Sequence, residues 1–301
     1  MDIRRTGELL HGGLTKRELA RSLQSGERVR VRHGAWSRDA PADAVERHRQ
    51  LIAGSWPLLG DGAVLSHASA GILHGLPAWE PLLARVATTR AQGGHGGRTT
   101  HLHVRLAALA PSEVVQLDGY RVTTLERTAF DLARSLSHEQ AVAVLDAALH
   151  QGAVARVLVD LVDDAPGRRG VGVARRALAF ADGRAESVGE SLSRVRLAQA
   201  GLPAPVLQLE IFDHNGVLIA RVDFAWPESG VVGEFDGAVK YTGTPEQVAR
   251  AVLAEKRRQQ AIEDAGWRVV RWTWSDLSDR ERLRVRIGSA LVDSARLRRP
   301  A

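Results

Sequence analysis

The turn Asp213-His214-Asn215-Gly216 constrains the fold of this chain more than any other stretch. Asn-Gly between two apolar runs is the strongest short hairpin signal, because the tight turn joining paired strands needs residues that tolerate positive φ. The flanking runs, Val206 to Phe212 and Leu218 to Phe224, are therefore expected to be antiparallel neighbours. Trp226-Pro227-Glu228-Ser229-Gly230 makes a second turn and leads into a third strand, Val231 to Phe235. A helix over Ser187 to Ala200, with Val188, Leu192 and Val195 on one stripe and Gly201 as its stop, precedes this meander. A long helix from about Pro245 to Ala265, ended by Gly266, and a last strand, Trp267 to Trp274, follow it. The expected order is helix, three-strand meander, helix, strand.

Carboxylates fall at telling places in that order. Asp223 lies near the end of the second strand, and Glu234 and Asp236 are two apart on the third, so these two share a face. Pairing of the strands brings Asp223 beside Glu234. Carboxylates converging on one edge repel one another, and a divalent cation relieves the conflict. An oxygen-only ligand set of Asp223, Glu234 and Asp236 suits Mg2+ or Mn2+, which activates water and stabilises charge on a phosphodiester. The bland alternatives are turn capping by Asp223 and an Asp236-Gly237 turn. Glu234 resists them, because it follows Val231-Val232-Gly233 in an apolar strand where an unpaired acid is costly. Glu190, off the apolar stripe of the first helix, is placed either to join the metal set or to pair with Arg194 one turn on. Lys240 and Lys256 are candidates for the cation that steadies water or phosphate, with ordinary surface lysine as the alternative. Arg257, Arg258 and Arg271 are candidate contacts to a phosphate backbone.

The rest of the chain sets bounds. Its 301 residues predict two or three domains, and 44% hydrophobic with 25% charged residues is globular composition. There is no cysteine, which excludes disulfides, thiol catalysis and cysteine-ligated zinc or iron–sulfur sites. The net charge of +6 favours nucleic acid as a partner, although arginine-rich composition has other origins. No apolar run is long enough to span a bilayer, and Met1-Asp2-Ile3-Arg4-Arg5 lacks the core of a signal peptide, so a cytoplasmic, non-membrane protein is expected.

Residues 1–50 read as a small helical unit followed by a basic hairpin. Thr15 with Glu18 forms a capping box ahead of a helix carrying Leu19 and Leu23, and Gly26 ends it. Val29-Arg30-Val31-Arg32 alternates apolar and basic residues before His33-Gly34 turns the chain. Lys16, Arg17, Arg21, Arg28, Arg30 and Arg32 give the region a positive face, the pattern of a winged helix-turn-helix or of a solvated basic helix. Residues 44–165 are expected to be mostly helical, with a helix from Val64 stopped by Gly75 and Pro77 and further helices over Leu125 to Ala133 and Glu139 to His150. Short strands are expected at Val86 to Thr89 and Leu102 to Val104. His101 and His103 form an H-x-H pair read as edge-strand histidines, because no nearby carboxylate completes a ligand set. Residues 166–184, around Pro166-Gly167-Arg168-Arg169-Gly170, are expected to be a linker.

Two resemblances follow from these residues. The run from Glu190-Ser191-Leu192 through Arg221-Val222-Asp223-Phe224, Glu234-Phe235-Asp236-Gly237 and Glu255-Lys256-Arg257-Arg258 to Gly266-Trp267-Arg268-Val269-Val270-Arg271-Trp272 resembles the very-short-patch-repair (Vsr-like) branch of the PD-(D/E)XK endonucleases. The resemblance implies a restriction-endonuclease-like mixed-sheet domain over 185–297, with Asp223, Glu234 and Glu190 as its acids. Asp236 stands where that superfamily usually has lysine, which leaves the lysine role to Lys240 or Lys256. The first half is similar to AbiEi-type antitoxins and regulators, on Gly13-Leu14-Thr15, Val29-Arg30-Val31-Arg32-His33-Gly34, Leu73-His74-Gly75-Leu76-Pro77 and Val122-Thr123-Thr124-Leu125-Glu126-Arg127. It implies a DNA-binding winged helix over 1–50, with Lys16, Arg17, Arg21, Arg30 and Arg32 on the nucleic acid, an AbiEi-like α+β domain over 51–165, and DNA and a cognate toxin as partners. The expected class is α/β (α+β overall). The leading functional expectation is a Mg2+-dependent DNA endonuclease or nickase. Its rival is a non-catalytic DNA-binding regulator or antitoxin with a degenerate nuclease fold, favoured by Asp236.

Overall fold

The structure is a computed structural model that describes residues 2–90, 95–237 and 244–297. By compactness the chain divides into two units. One comprises Met1–Ser137 with Gly152–Leu178, the other His138–Gln151 with Ala179–Ala301.

The first unit opens with β1 (Ile3–Arg5), α1 (Thr6–His11), α2 (Lys16–Gln24), β2 (Val29–Arg32) and β3 (Ala35–Ser37), whose strands form a sheet of order β1-β3-β2. The expected capping box starts α2. Thr15 Oγ1 accepts from Glu18 N at 3.2 Å, and the Glu18 carboxylate accepts from Thr15 N at 2.7 Å. Leu9, Leu19 and Trp36 close a small core beneath these helices. The Arg30 guanidinium lies 4.9 Å over the Trp36 ring, a cation–π contact that also covers the indole.

After α3 (Ala44–Ser55) come β4 (Val64–Leu65), α4 (His67–Leu73), α5 (Glu80–Leu83), β5 (Val86–Arg90), β6 (Gly97–Arg98), β7 (Leu102–Leu106), β8 (Val114–Leu117), β9 (Tyr120–Thr123) and α6 (Leu125–Ala133). The strands form a six-stranded sheet of order β6-β7-β5-β4-β9-β8. The middle region is thus less helical than its alanine-rich sequence predicts. Val64-Leu65, expected to open a helix, lies in this sheet between β5 and β9, and the helix begins only at His67. A two-residue strand is too short for its period to show in a sequence.

α7 (His138–His150) belongs to the second unit, although it falls inside the expected middle domain. The reason is a buried ion pair. Asp146 is fully buried, and its Oδ2 accepts from Arg194 Nη1 at 2.7 Å while its Oδ1 accepts from Asp182 N at 2.7 Å. α8 (Ala155–Asp163) and α9 (Val171–Phe180) follow, and α9 occupies the expected linker. Its apolar residues Ala174 and Ala177 are buried, so this segment packs instead of spanning a gap.

The remaining elements of the second unit begin in the predicted order, α10 (Val188–Gln199), β10 (Val206–Phe212), β11 (Leu218–Trp226), β12 (Val231–Phe235), α11 (Pro245–Asp264) and β13 (Arg268–Trp272), and two helices the sequence pattern did not predict follow, α12 (Trp274–Ser278) and α13 (Arg280–Leu297). The sheet order is β10-β11-β12-β13. The first two pairings are antiparallel, and β12 pairs β13 in parallel because α11 carries the chain back between them. One sheet face packs Phe224, Trp226 and Trp272 against Leu197 of α10 and Leu283 and Ile287 of α13. A second cluster packs Val222, Ala225 and Val232 against Ile262 of α11. Two glycines permit this closeness. A Cβ on Gly189 would lie 2.0 Å from the Phe235 ring, and one on Gly233 would lie 2.5 Å from Trp272. Among the described residues no helix is long and apolar enough to cross a membrane.

Candidate functional site

Strand register assembles an acidic centre in the second unit. Phe224 pairs with Gly233 across β11 and β12, so the next step of the ladder sets Asp223 against Glu234. Asp223 Oδ2 accepts a hydrogen bond from Phe235 N at 2.9 Å. α10 brings Glu190 close enough to add its charge to theirs. Burial, with the neighbouring charges of Glu190 and Glu234, pushes the Asp223 carboxyl up to about 6 despite the Phe235 amide. Asp223, Glu234 and Asp236 line one open cleft together with Arg221, Arg258 and Arg271.

Glu234 is 8% exposed and is clamped by two guanidinium groups. Arg258 Nη2 on α11 donates to its Oε1 at 2.5 Å, and Arg271 Nη2 on β13 forms an ion pair with its Oε2 at 2.8 Å. The same two arginines hold Glu255 of α11: Arg258 Nε donates to its Oε2 at 3.2 Å, and Arg271 pairs with its Oε1. Burial opposes ionisation of Glu255, but its bonds to Arg258 and Arg271 prevail and hold its carboxyl below the usual range. Two carboxylates and two guanidiniums therefore neutralise one another inside the cleft. Buried charge is tolerated only on such terms.

Glu190 is also committed. Its Oε1 accepts from Ser187 Oγ at 2.7 Å, and its Oε2 accepts from Glu186 N and Gln208 Nε2, each at 2.9 Å. The i,i+4 pair with Arg194 does not form, because Arg194 turns to Asp146. Asp236 is exposed at the end of β12. Lys256 is exposed and does not line the cleft, and Lys240 lies outside the described residues. Among the described residues no group of three or more acidic or histidine side chains is arranged to hold a metal ion. As arranged, the donors do not fit Mg2+ or Mn2+: the Glu234 oxygens face guanidiniums, and those of Glu190 face hydrogen-bond donors.

Of the expected nucleic-acid residues, Lys16, Arg17 and Arg21 are exposed on α2, Arg30 on β2 and Arg257 on α11. Two others point inward. Arg32 Nη1 donates to Ser55 Oγ at 3.2 Å, and Arg271 serves the Glu234 clamp. Arg28, part of the expected positive face, is buried. Sequence reasoning missed Glu255 and Gln208. The clamp left no local sequence signal, because it is the parallel register of β12 and β13 that aligns Glu234 with Arg271.

Residues 62–180 match the family described as the AbiEi antitoxin C-terminal domain. The chain resembles the crystal structure of the RV2827C protein from Mycobacterium tuberculosis with a TM-score of 0.39 and 16% identity, over 70% of this chain and 84% of that one. Two Mycobacterium tuberculosis proteins, from different strains and named uncharacterized protein MT2308 and uncharacterized protein Rv2248, are each 33% identical over 261 residues, covering 85% of this chain and 89% of theirs. By that identity and coverage the chain belongs to the same family as these two mycobacterial proteins.

Proposed function

We propose that this protein is a DNA-binding regulator of antitoxin type, whose C-terminal unit is a nuclease-like fold with a neutralised, non-hydrolytic site. A hydrolytic and a regulatory reading both need DNA. The observation that separates them is the clamp on Glu234: an acid whose two oxygens face Arg258 and Arg271 is already charge-balanced and has no need of a cation. The antitoxin-domain match over 62–180 supports the same side. In this reading the first elements form a winged helix-turn-helix. α2 presents Lys16, Arg17 and Arg21 to the phosphate backbone, and Arg30 reaches it from the wing. A cognate toxin is the proposed protein partner.

The test is duplex-DNA binding by the full chain across a salt series. Affinity should fall steeply with salt, and replacing Lys16, Arg17 and Arg21 by alanine should weaken it and flatten the log–log slope by up to about three. Asp223→Ala should leave binding unchanged. Absence of salt-sensitive binding refutes the reading.

A metal-dependent endonuclease is the second reading. The raised carboxyl of Asp223 between Glu190 and Glu234 favours it, since perturbed acids in a cleft gather at catalytic sites. It assigns Mg2+ or Mn2+ to Asp223, Glu234 and Asp236, with Glu190, Lys240 and Lys256 in support, and it requires Glu234 to release its arginines. DNA cleavage with either ion that disappears in Asp223→Ala and Glu234→Ala would establish it and displace the first.

A further inference from the structure

We propose that the first unit carries a separate binding site for a phosphate group, in a small basic pocket walled by Arg85, Arg98, Arg105, His67, His103 and Ser135. The cavity has a volume of about 220 Å³. That lies below the roughly 300–1,000 Å³ of pockets that enclose larger ligands, and suits a compact anionic group. Alternation along β7 sets His103 and Arg105 on one face, and the β6–β7 register brings Arg98 opposite His103. Arg85, just before β5, is fixed by a 2.7 Å hydrogen bond from its Nε to Thr99 O.

Arg105 is the telling residue. Its Nη1 is buried and has no hydrogen-bond partner. The acid nearest in its electrostatics, Asp131, is already taken: Arg127 Nε and Arg134 Nη2 donate to its two oxygens, each at 2.9 Å. No acidic side chain is among the described residues lining the pocket. Burial lowers the Arg105 guanidinium to about 10, still charged at neutral pH. Burial, reinforced by Arg105, Arg98 and Arg85, holds the His103 ring down to about 4, so it is neutral. Arg98 Nε donates to its Nε2 at 3.3 Å, which leaves Nδ1 as the protonated nitrogen. A buried, unpaired guanidinium donor is a costly arrangement that an anion resolves. Phosphate matches three converging guanidiniums in charge and in oxygen number.

This site stands apart from the DNA reading and does not depend on it. The experiment titrates the full chain with inorganic phosphate and, separately, with ATP, at constant ionic strength with chloride as the control. Saturable phosphate binding is expected, weakened about tenfold or more by Arg105→Met, the loss typical of one charged hydrogen bond. Without phosphate, Arg105→Met should melt no lower than wild type, which a purely structural arginine would not allow. Arg98→Gln, on the exposed rim, should weaken phosphate binding less and decides the matter if Arg105→Met does not fold. Tighter binding of ATP than of phosphate would name a nucleotide phosphate as the source, and the reverse order the free ion. Absence of saturable phosphate binding, or binding unchanged in Arg98→Gln and in any folded Arg105→Met, overturns the proposal.

Discussion

Asp223→Asn isolates the electrostatic strain in the acidic cleft. The substitution keeps an oxygen to accept from Phe235 N and removes only the charge. Burial beside Glu190 and Glu234 raises the Asp223 carboxyl from the ordinary 3.8 to about 6. The folded protein therefore holds this proton to a higher pH than the unfolded chain. The stability linked to it is full below 3.8 and is lost as pH rises through about 6. A gap of about two pKa units corresponds to roughly 3 kcal/mol, and partial exposure trims that to about 2. Above pH 7 Asp223→Asn should thus be more stable than wild type by about 2 kcal/mol, or roughly 4–8 °C in melting temperature for a unit of this size. The gap should close toward pH 4. Thermal or urea unfolding of both proteins from pH 4.5 to 8 measures it. A variant no more stable than wild type at pH 8, or a gap independent of pH, would refute the reasoning. If Mg2+ raises the melting temperature of wild type but not of Asp223→Asn, Asp223 holds the ion and the hydrolytic reading gains.

Other expectations rest on packing and capping. Arg271→Met removes one of the two guanidiniums on Glu234 and should cost about 1–3 kcal/mol in urea unfolding, because the buried acid keeps only Arg258. Gly189→Ala puts a methyl 2.0 Å from the Phe235 ring and should lower stability by at least about 1–3 kcal/mol, read as a lower melting temperature. Thr15→Ala removes the cap of α2 and should cost about 1 kcal/mol by the same measurement.

Much of the second unit was legible because its signals are local. Asn215-Gly216 closes the hairpin, Gly201 and Gly266 follow the ends of two helices, and alternation sets the strands. β10 and β12 run from Val206 to Phe212 and from Val231 to Phe235, as their pattern predicts. The final strand ends earlier than expected, at Trp272, because Thr273 starts a short helix with Asp276 accepting from its N–H at 2.9 Å. The middle region was less legible. Its sheet joins β4 to β5 and β9, segments distant in sequence, and such pairing leaves no local period.

The amino-acid order alone therefore determines the helix–meander–helix–strand succession, the capped basic helix at the start and the facing of Asp223 and Glu234. Each depends on residues a few positions apart or on two strands joined by a tight turn. Only the tertiary structure decides what those acids are. Glu234 meets Arg271 because β12 and β13 run parallel, and Arg258 because α11 packs across the sheet. Both contacts join residues more than twenty positions apart. The same holds for α7, drawn into the second unit by the buried Asp146–Arg194 pair. A carboxylate's chemistry is set by what folding brings beside it, and in this chain folding brings arginine.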